Sequence, residues 1–516
     1  MKTRRILTLL IILVTAFAML VGCAPAPTAT GVPTNAPTPT PKPLDEYTIQ
    51  MLFPGDTPVD MDLVVAEAEA RVKDTLNVKL DITFVPWSDY GNAIMTKLTA
   101  GEDFDLHLNA PWLSMQQLID SGAIVAWDTL IDSTMPNVKA KFDTEIMKNN
   151  MFNGKVMGIP LIDRIAAYGF TTSYRGDLAE AVGITDPILT SVQMNDYLYK
   201  VHAKFPTLIP ITWNGAQYLN GYVYDPTGKP IQTYMFGQNN CFTFLVYNED
   251  GTVDPASFKP IYEDPLFIAY AKHQRQLYLD GIIDKDVMAQ TDMKGALIAG
   301  KTAMGMENFD EPKLQANVPG AYTVYTFPYK DTRKFVTDFK AWNFLCLNAK
   351  SKDPERVAMW YNWIYADQAN YDLLALGIKD KHWVDKGNMT YDVPAGVDPN
   401  KNYAFPGYVL LWNPVFIKAA SNWPATYGEL HKIEMDSKYF IKSQLAGFNP
   451  DFKPVENEVA QISAVWAECI FTLGAGVVED VDAGLAIAKT KLEAAGYLKF
   501  VEEAKKQTAA FIAAAK

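Results

Sequence analysis

The stretch from residue 47 to 121 constrains the fold more than any other, because its apolar residues change period in a regular order. Tyr47 to Phe53 is a strand-like run that ends at the turn sequence Pro54-Gly55-Asp56. From Asp60 to Leu76, Val65, Ala68, Val72 and Leu76 share one face of a helix. Val78 to Val85 alternates, with Val78, Leu80, Ile82 and Phe84 on one side, and predicts a second strand. Ser88 stands where a helix N-cap is expected, and Tyr90, Ile94 and Leu98 share a face of the helix after it. Phe104 to Leu108 predicts a third strand and Trp112 to Ser121 a third helix. This alternation implies a parallel α/β layer. In such layers ligands bind beyond the carboxyl ends of the strands. The Pro54-Gly55-Asp56 loop, Trp87, Asn109 and Trp112 are therefore expected on one edge.

At 516 residues the chain is too long for one core, so two or more lobes are expected. The formal net charge of −13 argues against nucleic acid or an acidic lipid surface as partner. Besides Cys23 the cysteines are Cys241, Cys346 and Cys469, with no CxxC pair, so neither a disulfide framework nor a zinc site is suggested. The His residues are scattered without HExxH spacing, and there is no GxSxG elbow, P-loop or GxGxxG after a strand. No enzyme, metal or cofactor is expected. Asn248 to Asp254 lacks the ligand spacing and closing Glu of an EF-hand and is read, like Asp225-Pro226-Thr227-Gly228, as a turn. Beyond about 345 the chain is expected to be largely helical, with Gly496 dividing the last two helices.

The first residues carry a different message. Lys2, Arg4 and Arg5 precede an apolar run from Ile6 to Val21, the pattern of a secretory signal. The run closes on Leu20-Val21-Gly22-Cys23, which resembles the lipobox of bacterial lipoproteins; that resemblance implies cleavage before Cys23 and its lipidation. Ala24 to Pro43 is almost only Pro, Thr and Ala, a composition expected to stay an extended stalk.

Several segments, in order, resemble the extracellular solute-binding proteins of the sugar-binding class. Ala100 to Leu106 (AGEDFDL) is similar to their step into the third strand, and Phe152 to Pro160 (FNGKVMGIP) to the segment before their first crossing between lobes. Gly300 to Met306 (GKTAMGM) resembles the segment that returns the chain to the first lobe, and Ser351 to Ala358 (SKDPERVA) the helix start after re-entry into the second. Trp360–Trp383 and Ala494–Gln507 look more specifically like LipO-type lipoproteins with a DUF3502 C-terminal region. The resemblance implies an α/β, two-lobed clamshell (type II-like), each lobe an α/β layer, with a helical C-terminal region. It implies a monomer that captures a carbohydrate in the cleft for an ABC-type permease, anchored by lipid to the outer face of the cytoplasmic membrane. The same fold could bind a peptide or another polar solute, or serve a sensory lipoprotein. The expected division is 1–22 signal peptide and 23–44 lipidated Cys and linker. The first lobe is expected to take 45–160 plus about 295–342, and the second 161–294 plus about 343–516.

A sugar shows apolar C–H faces and a ring of hydroxyls, so its site needs flat aromatic faces and planar polar groups. Aromatic residues make up 12% of this chain, and many of its Trp stand beside polar or turn residues. The candidates are Trp87, Asn109 and Trp112 at strand ends, and Asp163 and Arg164 past the first crossing motif, where a salt bridge bracing the hinge is the competing role. Trp213, Glu307, Trp342, Trp383, Trp412 and Trp423 complete the set.

Overall fold

Two long strands, β1 (Tyr47–Pro54) and β2 (Val78–Val85), lie parallel and in unbroken register from Tyr47 opposite Val78 to Pro54 opposite Val85. Residues 44–166, 172–212, 231–238, 241–290, 293–305, 311–326, 334–423 and 425–515 are described by the computed structural model. β3 (Leu106–Asn109) joins β1 on its other side, also parallel, so the predicted alternating layer is present. The helix between β1 and β2 spans Met61–Val72 and buries Met61, Val64, Ala68 and Val72. The stripe thus starts a turn earlier than the periodicity suggested, and Leu76 is buried from the turn beyond the helix. The next helix, Trp87–Ala100, buries Tyr90, Ile94 and Leu98 as expected. Its N-cap is Pro86, with extended backbone and no side-chain cap, so Ser88 is a residue of the first turn and not the cap. Trp112 precedes the third helix, which runs only over Met115–Asp120.

The sheet is completed by β4 (Ile124–Val125), β5 (Ile159–Leu161) and a late strand, β12 (Asn343–Asn348), which runs antiparallel to β3, β4 and β5. All six residues of β12 are buried, at about 1.5–3 kcal/mol for each large apolar side chain taken out of water. The expected division of the chain differs here at two segments. The segment containing β12 was expected in the second lobe, yet Phe344 faces Asn109 and Leu347 faces Leu106 in the first sheet. The helix Pro354–Ile364 follows it there, capped by the Asp353 carboxylate and burying Val357, Trp360, Tyr361 and Ile364 in the same core. Conversely, the GKTAMGM segment was expected to return to the first lobe. Its strand β9 (Met304–Gly305) pairs instead with β6 (Thr172–Arg175), whose other edge holds β10 (Thr323–Thr326). β9 and β10 therefore belong to the second sheet, and the chain re-enters the first lobe at β12.

Buried side chains group accordingly. One core spans 49–161 and 341–416. A second joins residues 166–335 to the helix Ala425–Glu434 and Phe440. A third packs the hairpin β7 (Thr233–Gln238) and β8 (Cys241–Val246) with the helix Pro265–Leu279 against the C-terminal helices Glu456–Val465, Val481–Ala494 and Tyr497–Ala514. Gly496 separates the last two helices with φ of +86°, a left-handed conformation that glycine adopts without strain. Asn248 to Thr252 is a turn, closed by Gly251 N–H to the Asn248 carbonyl at 3.0 Å. The Asp225–Gly228 turn falls outside the described residues. The chain passes between the lobes after β5 at 162–166, again at 338–342 between β11 (Phe335–Thr337) and β12, and a third time between Phe416 of the first core and Leu430 of the second.

Candidate functional site

The carboxyl ends of β1, β2 and β3 and the amino end of β12 meet at one edge of the first sheet, because β12 runs opposite to the other three. Trp87 follows β2, Trp112 follows β3 and Trp342 precedes β12. The structure brings these three sequence candidates together. The Trp87 and Trp112 rings lie 5.9 Å apart between centroids, tilted by 35°. Trp112 Nε1 donates to the Trp342 carbonyl at 2.8 Å. Trp87 stacks on Tyr408, with centroids 6.0 Å apart at 24°, and its Nε1 donates to the Tyr408 hydroxyl at 3.1 Å. Trp412 stands edge-on to Tyr408 at 5.8 Å, and its carbonyl accepts the Ile162 N–H at the start of the first crossing. Burial is the main cause that raises the Tyr408 hydroxyl above the ordinary tyrosine range, so it stays neutral.

Trp87, Trp112 and Trp342 keep 42%, 43% and 68% of their surface exposed. Exposure of three neighbouring tryptophans withholds apolar area from the core, and patches of that kind mark binding faces. Both ring N–H donors of Trp87 and Trp112 are engaged within the protein, which fixes the rings and leaves flat faces as what they present. Tyr408 was not among the sequence candidates. Its setting, Pro406-Gly407-Tyr408, is a turn carrying an aromatic, the same signal that selected Pro86-Trp87-Ser88.

Other candidates have structural work. Asn109 is fully buried; its Oδ1 accepts from Ala110 N at 2.8 Å and Ser114 N at 3.3 Å, and its Nδ2 faces Ser114 Oγ. It shapes the loop that carries Trp112 and does not face the open edge. Asp163 and Arg164 form the brace: Arg164 donates from Nε and Nη2 to both Asp163 oxygens at 2.8 and 3.0 Å, and from Nη1 to Glu434 Oε1 at 2.8 Å. Glu434 ends a second-lobe helix, so the guanidinium ties the crossing to that lobe. On the same helix burial draws the His431 imidazole down, with Asp163 raising and Arg164 lowering it. Trp423 is half-buried with its edge against Tyr427 at 4.4 Å, in the second-lobe aromatic group. Trp383 is buried, donates Nε1 to the Gly377 carbonyl at 3.0 Å, and has the Lys379 and Lys418 ammoniums over its ring at 5.8 and 5.6 Å. It is a core residue of the first lobe. Trp213, Glu307 and Cys23 fall outside the described residues. Among the described residues no group of His, Cys, Asp and Glu could hold a metal ion, and no helix is long and apolar enough to cross a membrane.

This architecture is that of the two-domain solute-binding proteins. The chain superposes on the N-glycan transport solute binding protein NgtS of Streptococcus pneumoniae with a TM-score of 0.72 and 20% identity, over 90% of this chain and 99% of that one. It superposes on the ABC-transporter substrate binding protein FusA of S. pneumoniae, crystallised with kestose, with a TM-score of 0.61 and 16% identity, over 90% and 99%. Residues 444–513 match the family described as a domain of unknown function, DUF3502, as the sequence resemblance implied. A curated protein of S. pneumoniae serotype 4, a carbohydrate ABC transporter substrate-binding protein, is 25% identical over 244 residues, 47% of this chain and 46% of its own length. The alignment thus spans about half of that relative. The resemblance to sugar-binding solute-binding proteins is borne out.

Proposed function

We propose that the protein captures a sugar or oligosaccharide between its lobes and presents it to an ABC-type permease, without catalysis. The observation that carries this reading is the fixed, exposed aromatic face of Trp87, Trp112 and Trp342 at the carboxyl edge of the first sheet. Pyranose C–H faces are apolar and flat, and such rings match them. The relatives support it: one is a carbohydrate ABC transporter substrate-binding protein, one is an N-glycan transport solute binding protein and one was crystallised with kestose. Capture closes the clamshell only if the ligand binds the closed form more tightly than the open one. Cys23, behind its basic and apolar leader, is the proposed lipid attachment that holds the protein at the outer face of the membrane. Replacing Cys23 by Ser should release the protein into the soluble fraction of cells.

The test of the ligand is thermal unfolding of residues 44–516 against mono- and oligosaccharides, peptides and polyols. A ligand at a hundred times its dissociation constant adds about 2.7 kcal/mol and raises the melting point. A saccharide shift that Trp112→Ala abolishes is the expected result. Silence from every saccharide with a shift from peptides overturns the substrate and keeps the fold.

A further inference from the structure

The crossing at 338–342 takes an unusual backbone conformation, held locally by Phe339 N–H on Thr337 Oγ1 at 3.1 Å and Lys340 N–H on Asp338 Oδ1 at 3.0 Å, and by residues far away in sequence. Phe339 has φ of +56°, a left-handed conformation that costs a side-chain-bearing residue stability unless neighbours enforce it. Long-range contacts reach the crossing from both lobes, its backbone from the first and the Lys340 side chain from the second. Buried Asn150 grips the crossing from the first lobe, donating Nδ2 to the Phe339 carbonyl at 2.8 Å and accepting the Ala341 N–H on Oδ1 at 2.7 Å. From the other side comes Asn449. Its Oδ1 accepts from Lys340 Nζ at 2.5 Å, and its Nδ2 donates to the Met151 carbonyl of the first lobe at 2.6 Å. The Lys340 ammonium also lies 5.9 Å from the Phe152 ring.

Asn449 belongs to the opening stretch of the DUF3502 region. Leu445, Phe448, Phe452 and Val455 around it are buried in the second-lobe core shared with β7 and β8. The same stretch reaches the first lobe again through Lys453, paired with Asp120 at 3.0 Å. Anchored in one lobe and bonded to the other, it spans the hinge. The crossing it holds runs directly into Trp342, the most exposed ring of the binding face, whose carbonyl fixes Trp112.

We propose that Asn449 and Lys340 are positioning residues of the binding face. The stretch 445–453 of the DUF3502 region is a strap across the hinge that fixes the crossing 338–342, and through it sets Trp342 against Trp112. The affinity part of this inference rests on the carbohydrate reading above; the geometric part does not.

Two variants separate the strap from mere stability. Lys340→Met made together with Asp338→Asn keeps the aliphatic stem and removes both members of a coupled charge pair, a replacement that proteins often tolerate. Asn449→Ala removes both bonds. Each is compared with the native protein by saccharide affinity, intrinsic tryptophan emission without ligand, and radius of gyration by small-angle scattering. Both variants are expected to weaken binding of the best saccharide about three- to thirtyfold. Both should also shift the emission, and Trp342→Phe introduced beside either variant should remove that shift. Unchanged emission and radius of gyration in both folded variants overturn the strap, whatever the affinity does. If the native protein binds no saccharide, the carbohydrate reading fails, and emission and scattering still decide the strap.

Discussion

Three tryptophans chosen for the same local reason have opposite roles, and their neighbours in space decide which. Trp112 and Trp342 present faces to solvent, whereas Trp383 is covered by Lys379 and Lys418 and donates its N–H to Gly377. Trp383→Ala should cost about 3–5 kcal/mol in chemical denaturation and leave ligand affinity unchanged while the protein is folded. Trp112→Ala should cost about 1 kcal/mol or less and abolish binding. The site was legible where a tryptophan sits at the end of a strand that periodicity had already located, as with Trp87 and Trp112. It was not legible at Trp383, because Lys418, 35 positions later, lies over its ring. A second residue-scale consequence concerns His107. It is fully buried in β3, with Nδ1 3.2 Å from the Leu108 carbonyl and Nε2 without a partner, and burial draws its pKa down to about 4. The folded protein therefore keeps it neutral while the unfolded chain takes up the proton below about 6.5. The stability this contributes is present above that pH and is lost as pH falls toward 4, about 3 kcal/mol in all. Denaturation of His107→Leu at pH 7 and pH 4.5 should show a flatter acid limb than the native protein. Equal slopes would mean that His107 is protonated in the fold.

Elements divide along a similar line. The strand–helix alternation from 47 to 109 was readable because each helix and strand announces itself within ten or fifteen residues. β12 was assigned to the wrong lobe for a physical reason. All six of its residues are buried, so the run has no exposed face, and its partners Leu161 and Asn109 lie 182 and 235 positions away. The FNGKVMGIP segment was recognised as a pattern, and the structure supplies the cause of one glycine in it. A Cβ on Gly158 would lie 2.8 Å from Phe344 Cβ, 3.1 Å from Met115 Cε and 3.3 Å from Cys346 Sγ. The segment therefore crosses β12 at a distance that only a glycine permits. Gly158→Ala should destabilise by about 1–3 kcal/mol through overpacking. Pairing it with Cys346→Ala should recover part of that loss, since one of the three crowded contacts is relieved. No recovery would place the strain at Phe344 and Met115.

At the scale of the whole molecule, the boundary of the DUF3502 match and the boundary of a folding unit do not coincide. The match begins at residue 444, but the core it enters is shared. Phe236 on β7 packs within 6.5 Å of Phe448, Phe452 and Phe500, Phe242 lies 4.8 Å from Trp466, and Tyr497 donates its hydroxyl to the Phe242 carbonyl at 2.7 Å. The helix Pro265–Leu279 is held to the same region by the Tyr270 hydroxyl on the Gly474 carbonyl. Gly476, at φ +75°, lies so close to that helix that a Cβ there would stand 2.3 Å from the Gln274 carbonyl oxygen. The core side chains of residues 236–238 and 241–271 thus share their cover with the C-terminal helices. Truncation after Ser443 should therefore not yield a shortened solute-binding protein. It should expose the aromatic face of β7 and β8, bind a hydrophobic dye and lose the cooperative thermal transition of the second lobe. Calorimetry of the intact 44–516 protein should likewise show no separate transition for residues 444–513. A truncated protein that melts cooperatively and still binds ligand would make the C-terminal region an appended module. The shared aromatic core makes it the completing half of the second lobe instead.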